Sequence, residues 1–418
     1  MRKAFKYRLY PNTTAEKKLY FTLNRCRELY NAALSERKDS YQLHERKQLQ
    51  INSETGQVVA ATMTAKQRVK AVGYYGQKRA LVEIKKLREE YQGIASQVLQ
   101  DVILRVERTF QRFFDGAGFP RFKGPNRYDS FTYPDGAGWK LDVEEQGNSF
   151  KGTLHLTRIG DIKVRLHRKI EGKIKTVTMK REVDHWFVVF SCEVEEPAQI
   201  PLSYEDVGID LGVTHLATLS NGEMIEHPRY YRRAKKTLEK RQQALSRKKK
   251  GSHRRERAKK LFGKAHRKIA NQRRDFHHKQ SRKLINRYQV IVFEDLHIGN
   301  LTRRPKPKQD EETGQYLSNG AAAKGSLNKS ILDAGWGMFV GMCSSKAAGA
   351  GRTLLTVDPT FTSQVCSGCG QVRKKDLSER WHTCDCGTEL DRDVNAAINI
   401  LARGQQHLGG KHPTSATA

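Results

Sequence analysis

Four cysteines near the C-terminal end constrain the fold of this chain more than any other feature. They form two close pairs, Cys366-x-x-Cys369 and Cys384-x-Cys386, joined by a short basic segment. Two such pairs on facing turns supply the four soft ligands of a tetrahedral zinc ion. The same cysteines could also be buried small hydrophobic side chains, or could form two disulfides. The paired spacing favours zinc, although the second pair is CxC rather than the commoner CxxC.

Two aspartates follow the second cysteine pair directly. Asp391 and Asp393 precede an alanine-rich segment, Ala396–Leu401, that is predicted to be helical. Carboxylates at the start of a helix are favourable as caps alone. Two aspartates fixed between a metal-bound turn and a helix would also suit a divalent-cation site, provided that other carboxylates converge there.

Size and charge limit the classes of function. A chain of 418 residues suggests two to four domains, and 77 Lys and Arg against 45 Asp and Glu give a net charge of +32. Such an excess indicates a polyanionic partner. No apolar run approaches ~20 residues, so no membrane attachment is expected. The other cysteines, Cys26, Cys192 and Cys343, are scattered, which fits a reducing cytoplasm.

The N-terminal part is predicted to be one strand followed by helices. Residues 2–10 alternate basic and apolar side chains, as a strand does. A Thr13-x-x-Glu16 capping box then predicts a helix. Polar helical sequence is expected to about residue 90, with a turn at 52–57. The expected buried stripe of the first helix is Leu19, Leu23, Cys26 and Tyr30.

A second strong helix and a β-rich segment follow. The helix is predicted from Ile94 to Phe114, and its expected buried stripe is Leu99, Val102, Val106, Phe110 and Phe113. Residues 118–136 interleave prolines and glycines with basic and aromatic side chains. Short alternating runs then predict an antiparallel β-barrel or sandwich that ends near Pro201. Such alternation suits nucleic-acid contact, but any half-exposed strand also shows it.

From Val207 onward the pattern indicates an α/β arrangement. Asp210 is expected in the middle of a first strand, and Gly212 permits the bend after it. Glu294 is expected at the C-terminal end of a strand buried on both faces, where α/β sheets place their sites. Another buried strand at 351–358 leads into the cysteine segment.

The segment between these strands is strongly basic. Residues 229–287 are predicted to be helical, and their positive charge is too one-sided for ordinary i,i+4 pairing. A solvated helix face is the plain interpretation, but a surface that follows phosphates is favoured. The candidates for nucleic-acid binding are Arg247, Lys248, Lys249, Lys250, Arg254 and Arg255. Residues 303–330 are predicted to be a mobile loop, and 331–348 a helix.

Three carboxylates on separate elements suggest a catalytic site. Asp210, Glu294 and Asp393 can meet at one edge of a mixed sheet whose centre is parallel. Three acids there would bind two Mg²⁺ ions about 3.5–4 Å apart. Hard Mg²⁺ prefers anionic oxygen ligands, and such a site suits phosphodiester hydrolysis.

Several motifs together resemble the TnpB/OrfB family of RNA-guided nucleases from insertion sequences, which are related to type V CRISPR effectors. They are GIDLGVTHLA, VIVFEDL, DAGWGMF, VDPTFTSQVCSGCG and CDCGTELDRDVNAAINIL, with weaker similarity in KYRLYPN, SQVLQDVILRVERTFQRFF and GFPRFKG. The resemblance implies a transposon-encoded DNA endonuclease that acts in transposon maintenance. Guide RNA from the transposon end would pair with double-stranded target DNA, and the protein would read a short flanking motif.

The resemblance also implies roles for individual residues. Asp210, Glu294 and Asp393 would be the catalytic acids and ligands of two Mg²⁺ ions. Asp391 would support them, and Asp295 would be structural. The ligands of one structural Zn²⁺ would be Cys366, Cys369, Cys384 and Cys386. Candidates for reading the flanking motif are Gln100, Phe131 and Thr132.

The expected fold class is a multidomain α+β protein with an α/β RuvC-like (RNase H-like) core. The expected parts are a wedge β-barrel (1–10 and 118–200), a helical recognition lobe (11–117), the RuvC-like nuclease (201–360 and 388–403), a zinc ribbon (361–387) and a disordered tail (404–418). We expect a cytoplasmic, nucleoid-associated protein that is a monomer with its RNA, with a dimer as the alternative.

Two other functions share these features. One is a guide-bound repressor that binds DNA without cutting it, which loss of an acid would signal. The other is a transposase that joins DNA, because a two-metal carboxylate site also supports transesterification. A purely architectural basic protein would leave the three acids without a purpose.

Overall fold

The computed structural model describes residues 1–45, 48–51, 58–61, 72–146, 149–195, 200–201, 205–376 and 379–409. The chain forms two compact units, Met1–Glu195 and Glu196–Ala418. The turn predicted at 52–57 lies outside the described residues.

The first unit combines helices with a seven-stranded antiparallel sheet and a short two-stranded one. Its elements are β1 (Arg2–Tyr10), α1 (Thr13–Glu45), β2 (Gln48–Ile51), β3 (Val58–Ala61), α2 (Tyr74–Leu87), α3 (Ser96–Phe114), β4 (Ser130–Tyr133), β5 (Trp139–Gln146), β6 (Ser149–Leu156), β7 (Gly160–Leu166), β8 (Lys173–Glu182) and β9 (His185–Glu193).

The N-terminal strand β1 lies at the centre of the seven-stranded sheet, whose order is β4-β8-β9-β1-β7-β6-β5. Its alternation is confirmed, because Phe5, Tyr7 and Leu9 are buried while the basic side chains between them are not. Pairing of β1 with β9 and β7 joins the first residues to strands more than 150 positions away. Among the described residues the ladder ends at β4 and β5, so a closed barrel remains a prediction.

Helices α1 and α3 carry the apolar stripes that the sequence predicts. Every residue of the predicted α1 stripe is buried, as are all those of the α3 stripe except the partly buried Phe113. The predicted capping box places the cap of α1 at Thr13, whereas the structure places it one residue earlier. Asn12 caps α1, because its Oδ1 accepts a hydrogen bond from the backbone N–H of Ala15 at 2.8 Å.

The prediction of helical sequence up to residue 90 is wrong in its middle. Strands β2 and β3 pair antiparallel between α1 and α2, with Ile51 opposite Val58. The runs QLQI and VVAA are rich in the β-branched and apolar residues that strands favour, and this local pattern prevails over the polar composition of the surrounding segment.

The second unit surrounds a smaller, mixed sheet. Its elements are β10 (Asp206–Asp210), β11 (His215–Leu219), β12 (Met224–Glu226), α4 (Tyr230–Ser246), α5 (His253–Arg287), β13 (Val290–Glu294), α6 (Ile298–Leu301), β14 (Lys308–Gln309), β15 (Tyr316–Leu317), α7 (Ala321–Ala334), α8 (Trp336–Ala348), β16 (Thr353–Val357), β17 (Trp381–Thr383), β18 (Glu389–Asp391) and α9 (Arg392–Gly409).

The centre of this sheet is parallel, as predicted. The strand order is β12-β11-β10-β13-β16, with β10, β13 and β16 parallel. Ile209 pairs with Phe293, so the two strands end side by side at Asp210 and Glu294. Asp210 is the last residue of its strand rather than the middle one, and both carboxylates therefore lie at the same sheet edge.

Two predicted segments of this unit differ from the structure. The basic helical segment is a pair of helices, because residues 247–252 form a turn and Ser252 caps α5. The segment 303–330 contains the short β14–β15 hairpin and the start of α7 rather than a single loop. Helices α7 and α8 are separated by Gly335, whose φ of +70° ends one helix before the next begins.

Helix α9 lies directly against the sheet because two glycines permit the contact. A Cβ on Gly208 of β10 would lie 2.6 Å from the backbone nitrogen of Leu401, and a Cβ on Gly404 would lie 2.8 Å from Cγ1 of Val292. The helix continues to Gly409, which corrects the tail predicted from residue 404. Residues 410–418 lie outside the described residues. Within the described ranges, none of the helices has the length and apolarity to span a bilayer.

Acid should destabilise the second unit through His277. This side chain is buried on α5 against Phe339, and burial lowers its pKa to about 4. The neutral ring makes its full contribution to stability above the unfolded pKa of about 6.5, and this contribution is lost as the pH falls towards about 4. The loss in free energy of unfolding is at most about 3 kcal/mol. We expect His277→Gln to flatten the dependence of the free energy of unfolding on pH between these values, measured by urea denaturation. An unchanged dependence would contradict the assignment.

Candidate metal centres and nucleic-acid interface

The structure brings together the three predicted catalytic carboxylates. Asp210 ends β10, Glu294 ends the adjacent β13, and Asp393 lies in the first turn of α9, which packs on β10. Glu294 is only 9% exposed. The sheet register and the docking of one helix thus gather acids that lie 84 and 99 positions apart in sequence.

The electrostatics of this acid cluster indicate a cation site. Burial, followed by the charges of Glu294 and Asp393, raises the pKa of Asp210 well above its usual range. Burial also raises the pKa of Glu294, and burial together with Asp391 raises that of Asp393. Carboxylates that repel one another in a buried place gain from a divalent cation between them, and hard oxygen ligands suit Mg²⁺. The three acids therefore fit the predicted ions.

Asp391 and Asp295 have other roles. Oδ1 of Asp391 accepts hydrogen bonds from the backbone N–H groups of Asp393 at 2.8 Å and Val394 at 3.3 Å, so Asp391 caps α9. The backbone N–H of Asp295 donates to the carbonyl of Val357 at 2.8 Å, which extends the pairing of β13 with β16. The cap leaves the Asp393 carboxylate available to the acid cluster.

Thr362 holds the Glu294 side chain and was not singled out from the sequence. Its hydroxyl donates to Oε1 of Glu294 at 2.5 Å, and both residues are buried. The carbonyl of Thr362 accepts from Nδ2 of Asn399 on α9 at 2.9 Å. The residue just before it, Phe361, has a φ of +60°, an unusual value for a non-glycine residue. Only the fold places this threonine beside the acid, so no sequence signal identified it.

The four cysteines have the geometry of a zinc site. Their sulfur atoms all lie within 4.8 Å of one another, with 3.7 Å between Cys366 and Cys386 and 3.6 Å between Cys369 and Cys384. Four sulfurs at 2.3 Å from a tetrahedral zinc would be about 3.8 Å apart. All four are free thiols, and the distances are far longer than a disulfide bond of about 2.05 Å. The residues present therefore fit Zn²⁺.

Asparagines on α9 join the cysteine segment to the acid cluster. Oδ1 of Asn395 accepts from the N–H of Ser367 at 2.9 Å, and Nδ2 of Asn395 donates to the carbonyl of Val365 at 2.7 Å. Asn395 is fully buried, and it lies two residues after Asp393. The position of the first cysteine turn and that of Asp393 are therefore coupled through one helix.

The candidates for reading a DNA motif lie in different environments. Gln100 lines a groove of about 520 Å³ with Tyr75, Lys78, Arg79 and Val82. The hydroxyl of Thr132 accepts from Arg105 at 2.7 Å. Phe131 is completely buried and packs against Trp186, so its ring does not reach the surface, and a role of the Phe131–Thr132 segment in reading the motif stays a prediction. Alternation along β4 points this ring into the core instead.

The basic turn between α4 and α5 presents most of its predicted cations to solvent. Arg247, Lys248, Lys249, Lys250 and Arg254 are exposed. Arg255 is partly buried, and its Nη1 donates to the carbonyls of Leu245 and Lys248 at 2.9 Å each. This arginine therefore holds the turn, while its neighbours remain candidates for phosphate contact.

Three segments match known families. Residues 189–304 match the OrfB family described as "Probable transposase", and residues 336–400 match "Cas12f1-like, TNB domain". Residues 1–47 match "Helix-turn-helix domain". In this chain the described part of that last segment is one strand followed by one long helix.

Similarity to individual proteins extends over nearly the whole chain. A protein of Escherichia coli (strain K12) named "Putative RNA-guided DNA endonuclease InsQ" is 32% identical over 97% of this chain and 93% of its own length. A Streptomyces pristinaespiralis protein named "Putative RNA-guided DNA endonuclease" is 33% identical over 97% of this chain and 90% of its own length.

A solved structure shares the fold. The structure titled "Structure of the mini-RNA-guided endonuclease CRISPR-Cas_phi3" has a TM-score of 0.52 and 10% identity, over 100% of this chain and 94% of the other. At that identity the likeness concerns the fold alone. The two relatives above 30% identity, which this chain matches over nine-tenths of their length or more, establish the relationship: the chain belongs to the TnpB/OrfB family.

Proposed function

We propose that this chain is an RNA-guided DNA endonuclease that cuts phosphodiester bonds at the acid cluster of Asp210, Glu294 and Asp393. The observation that carries the proposal is the convergence of these three carboxylates, one buried and two partly buried, at one edge of the mixed sheet. A binding protein has no need to hold three repelling acids together, whereas a metal-dependent nuclease does.

The chemistry follows from the donor set. Two Mg²⁺ ions bound there would supply an activated water and stabilise the leaving 3′-oxygen of the phosphodiester. The three acids bind and position the ions, and Thr362 fixes the carboxylate of Glu294 through its hydroxyl. The four cysteines would hold one structural Zn²⁺, which would order the chain that leads into Asp391 and Asp393.

Two observations support guidance by RNA: the two relatives above 30% identity are named as putative RNA-guided DNA endonucleases, and this chain is strongly basic. A net charge of +32 suits a chain that binds guide RNA and double-stranded DNA at the same time. Base pairing would then select the target, while the protein reads a short flanking motif and the shape of the heteroduplex. We assign residues 1–10 and 118–200 to a wedge domain, 11–117 to a recognition lobe and 361–387 to a zinc ribbon. The biological role is maintenance of the transposon.

Cleavage of a plasmid library tests the proposal. The library carries one target matched to the transposon-end RNA beside randomised flanking bases, and the full chain is co-expressed with that RNA in the presence of Mg²⁺. Cutting that requires both the matched guide and a flanking motif is expected. Binding of the target without cutting would indicate a guide-bound repressor, and joining of DNA ends would indicate a transposase.

Replacing Thr362 should slow cleavage without unfolding the protein. Thr362→Val keeps the shape but removes the hydrogen bond to Glu294, and such a bond to a charged group contributes about 1.5–3 kcal/mol. We expect the rate at saturating DNA to fall about tenfold or more, with a higher Mg²⁺ concentration needed for half-maximal rate. Thr362→Ser retains the hydroxyl and should restore both values. Equal Mg²⁺ dependence in Thr362→Val and the parent would contradict the role.

A further inference from the structure

A cationic pocket lies beside the acid cluster in the second unit, and no role has been given to it above. Its volume is about 420 Å³, which is within the range of ligand sites. The lining comes from the β10–β11 connection, the start of α4, and α7. The side chains that matter here are Thr214, Arg229, Arg232, Lys235, Lys329 and Asp333.

The charge of this pocket is strongly positive. Arg229, Arg232, Lys235 and Lys329 are exposed at the pocket, and in the described part of the chain neither Arg232 nor Lys329 has a carboxylate within salt-bridge distance. The pocket lining also includes a carboxylate, that of Asp333, which is 6% exposed and lies 2.8 Å from Nη2 of Arg273. The backbone N–H of Tyr231 also donates to Asp333 at 3.0 Å. The acid on the floor is thus neutralised internally. Lys235 lies 3.8 Å from Glu239, whereas Arg232 and Lys329 are left for a ligand.

Hydroxyl groups complete the set of donors. Thr214, Tyr231, Ser326 and Ser330 line the same pocket. Cations and hydroxyls from several elements match the oxygen atoms of a phosphate rather than a base or an acyl chain.

The β10–β11 connection ties the pocket to the acid cluster. Asp210 and Thr214 lie at the two ends of this four-residue step, which spans at most about 14 Å. Nε1 of Trp336 donates to the carbonyl of Gly212 at 3.2 Å, and Nη2 of Arg229 donates to that of Thr214 at 3.4 Å. A nucleic-acid strand held in the pocket would therefore have a neighbouring phosphodiester within reach of the acids.

We infer that this pocket binds one backbone phosphate of the DNA strand being cut, and so places the scissile phosphodiester at the acid cluster. The inference rests on the proposed nuclease function for the identity of that strand. A phosphate subsite of this kind would contribute to substrate position without contributing to base specificity.

Phosphate interference tests the inference directly. A target strand is prepared as a set in which one phosphate at a time is replaced by an uncharged methylphosphonate. We expect the parent, with its guide RNA and Mg²⁺, to lose about tenfold in cleavage rate at subsaturating DNA when one particular phosphate near the cut is neutral. The double variant Arg232→Gln/Lys329→Gln should cleave unmodified DNA more slowly than the parent. Its cleavage rate should not fall further when that same phosphate is neutral.

A matched control keeps the test specific. Lys236→Gln/Lys240→Gln removes two exposed charges from the same helix α4 but outside the pocket lining, and it should keep the parent's interference pattern. The same loss at that phosphate in the parent and in Arg232→Gln/Lys329→Gln would overturn the inference.

Binding separates failure of the pocket from failure of the nuclease. If the parent cuts nothing, the affinity of the full chain for a single-stranded DNA oligonucleotide is measured in EDTA between 50 and 200 mM salt. The slope of log affinity against log salt should be about 1.4 units shallower in Arg232→Gln/Lys329→Gln than in the parent if both cations contact phosphates, at about 0.7 per contact for single-stranded DNA. An unchanged slope would overturn the phosphate site whatever the fate of the nuclease.

Discussion

Asp210→Asn should abolish DNA cleavage and at the same time make the protein more stable. The amide keeps the size of the side chain but cannot supply the anionic oxygen that Mg²⁺ requires, and a loss of several kcal/mol in transition-state stabilisation corresponds to about 10³-fold or more in rate. Because burial and the charges of Glu294 and Asp393 disfavour the Asp210 carboxylate, its removal relieves repulsion in the ion-free protein. A gain of about 1 kcal/mol is typical when a strained functional group is replaced.

Thermal unfolding with and without Mg²⁺ separates these two effects. In EDTA the variant should melt a few degrees above the parent. Added Mg²⁺ should raise the melting temperature of the parent by mass action and have little effect on that of Asp210→Asn. Guide RNA and DNA binding should persist in the variant. Cleavage at the parent's rate, or an equal response to Mg²⁺, would show that Asp210 is not a metal ligand.

The second large effect is expected from Cys366→Ser, which should remove zinc and disable the acid cluster together. Structural zinc in small peptides contributes about 10–16 kcal/mol of binding free energy, and that energy is folding energy for the segment that binds it. Loss of the first cysteine turn would release Ser367 and Val365 from Asn395. Since Asn395 lies two residues after Asp393, we expect cleavage to fall with the zinc content, and protease sensitivity to increase within residues 361–391.

Cys343→Ala provides the matched control. Cys343 is equally buried but packs in the apolar core of the second unit, away from the four clustered thiols. It should retain one zinc per chain, measured by atomic emission, and should retain cleavage. Full zinc content in Cys366→Ser would contradict the assignment of this cysteine as a ligand. Retained cleavage after complete zinc loss would contradict the coupling to Asp393.

The sequence predicted the elements that carry the acids because their patterns are local and strong. The run VIVF is apolar throughout, as a strand covered on both faces must be, and Glu294 follows it at the C-terminal end of the strand, at the sheet edge. The cysteine pairs identify a metal site by spacing alone. The same local reasoning located the buried stripes of α1 and α3.

What the sequence could not supply depends on contacts between distant segments. The hydroxyl of Thr362 reaches Glu294, 68 positions away, only because the chain after β16 returns to the end of β13. The cationic pocket joins α4 to α7 across about a hundred positions. The burial of the Phe131 ring could not be predicted for a related reason, since alternating aromatic and basic residues leave open which face of a strand meets the core.

The contact of α9 with β10 also limits how this family member can change in length. Asp393 and Ala397 are one helical turn apart, and the carbonyl oxygen of Ala397 lies so close to Gly208 that Gly208 has no room for a side chain. Each residue added to a helix turns what precedes it by about 100° and shifts it by 1.5 Å. An insertion or deletion of one residue between these two positions would therefore rotate the carboxylate away from Asp210 and Glu294 while the docking contact stayed in place. Substitutions on the outer face of α9 leave this spacing intact. The acid cluster therefore tolerates changes of amino acid there, whereas a change in the length of this segment disrupts it.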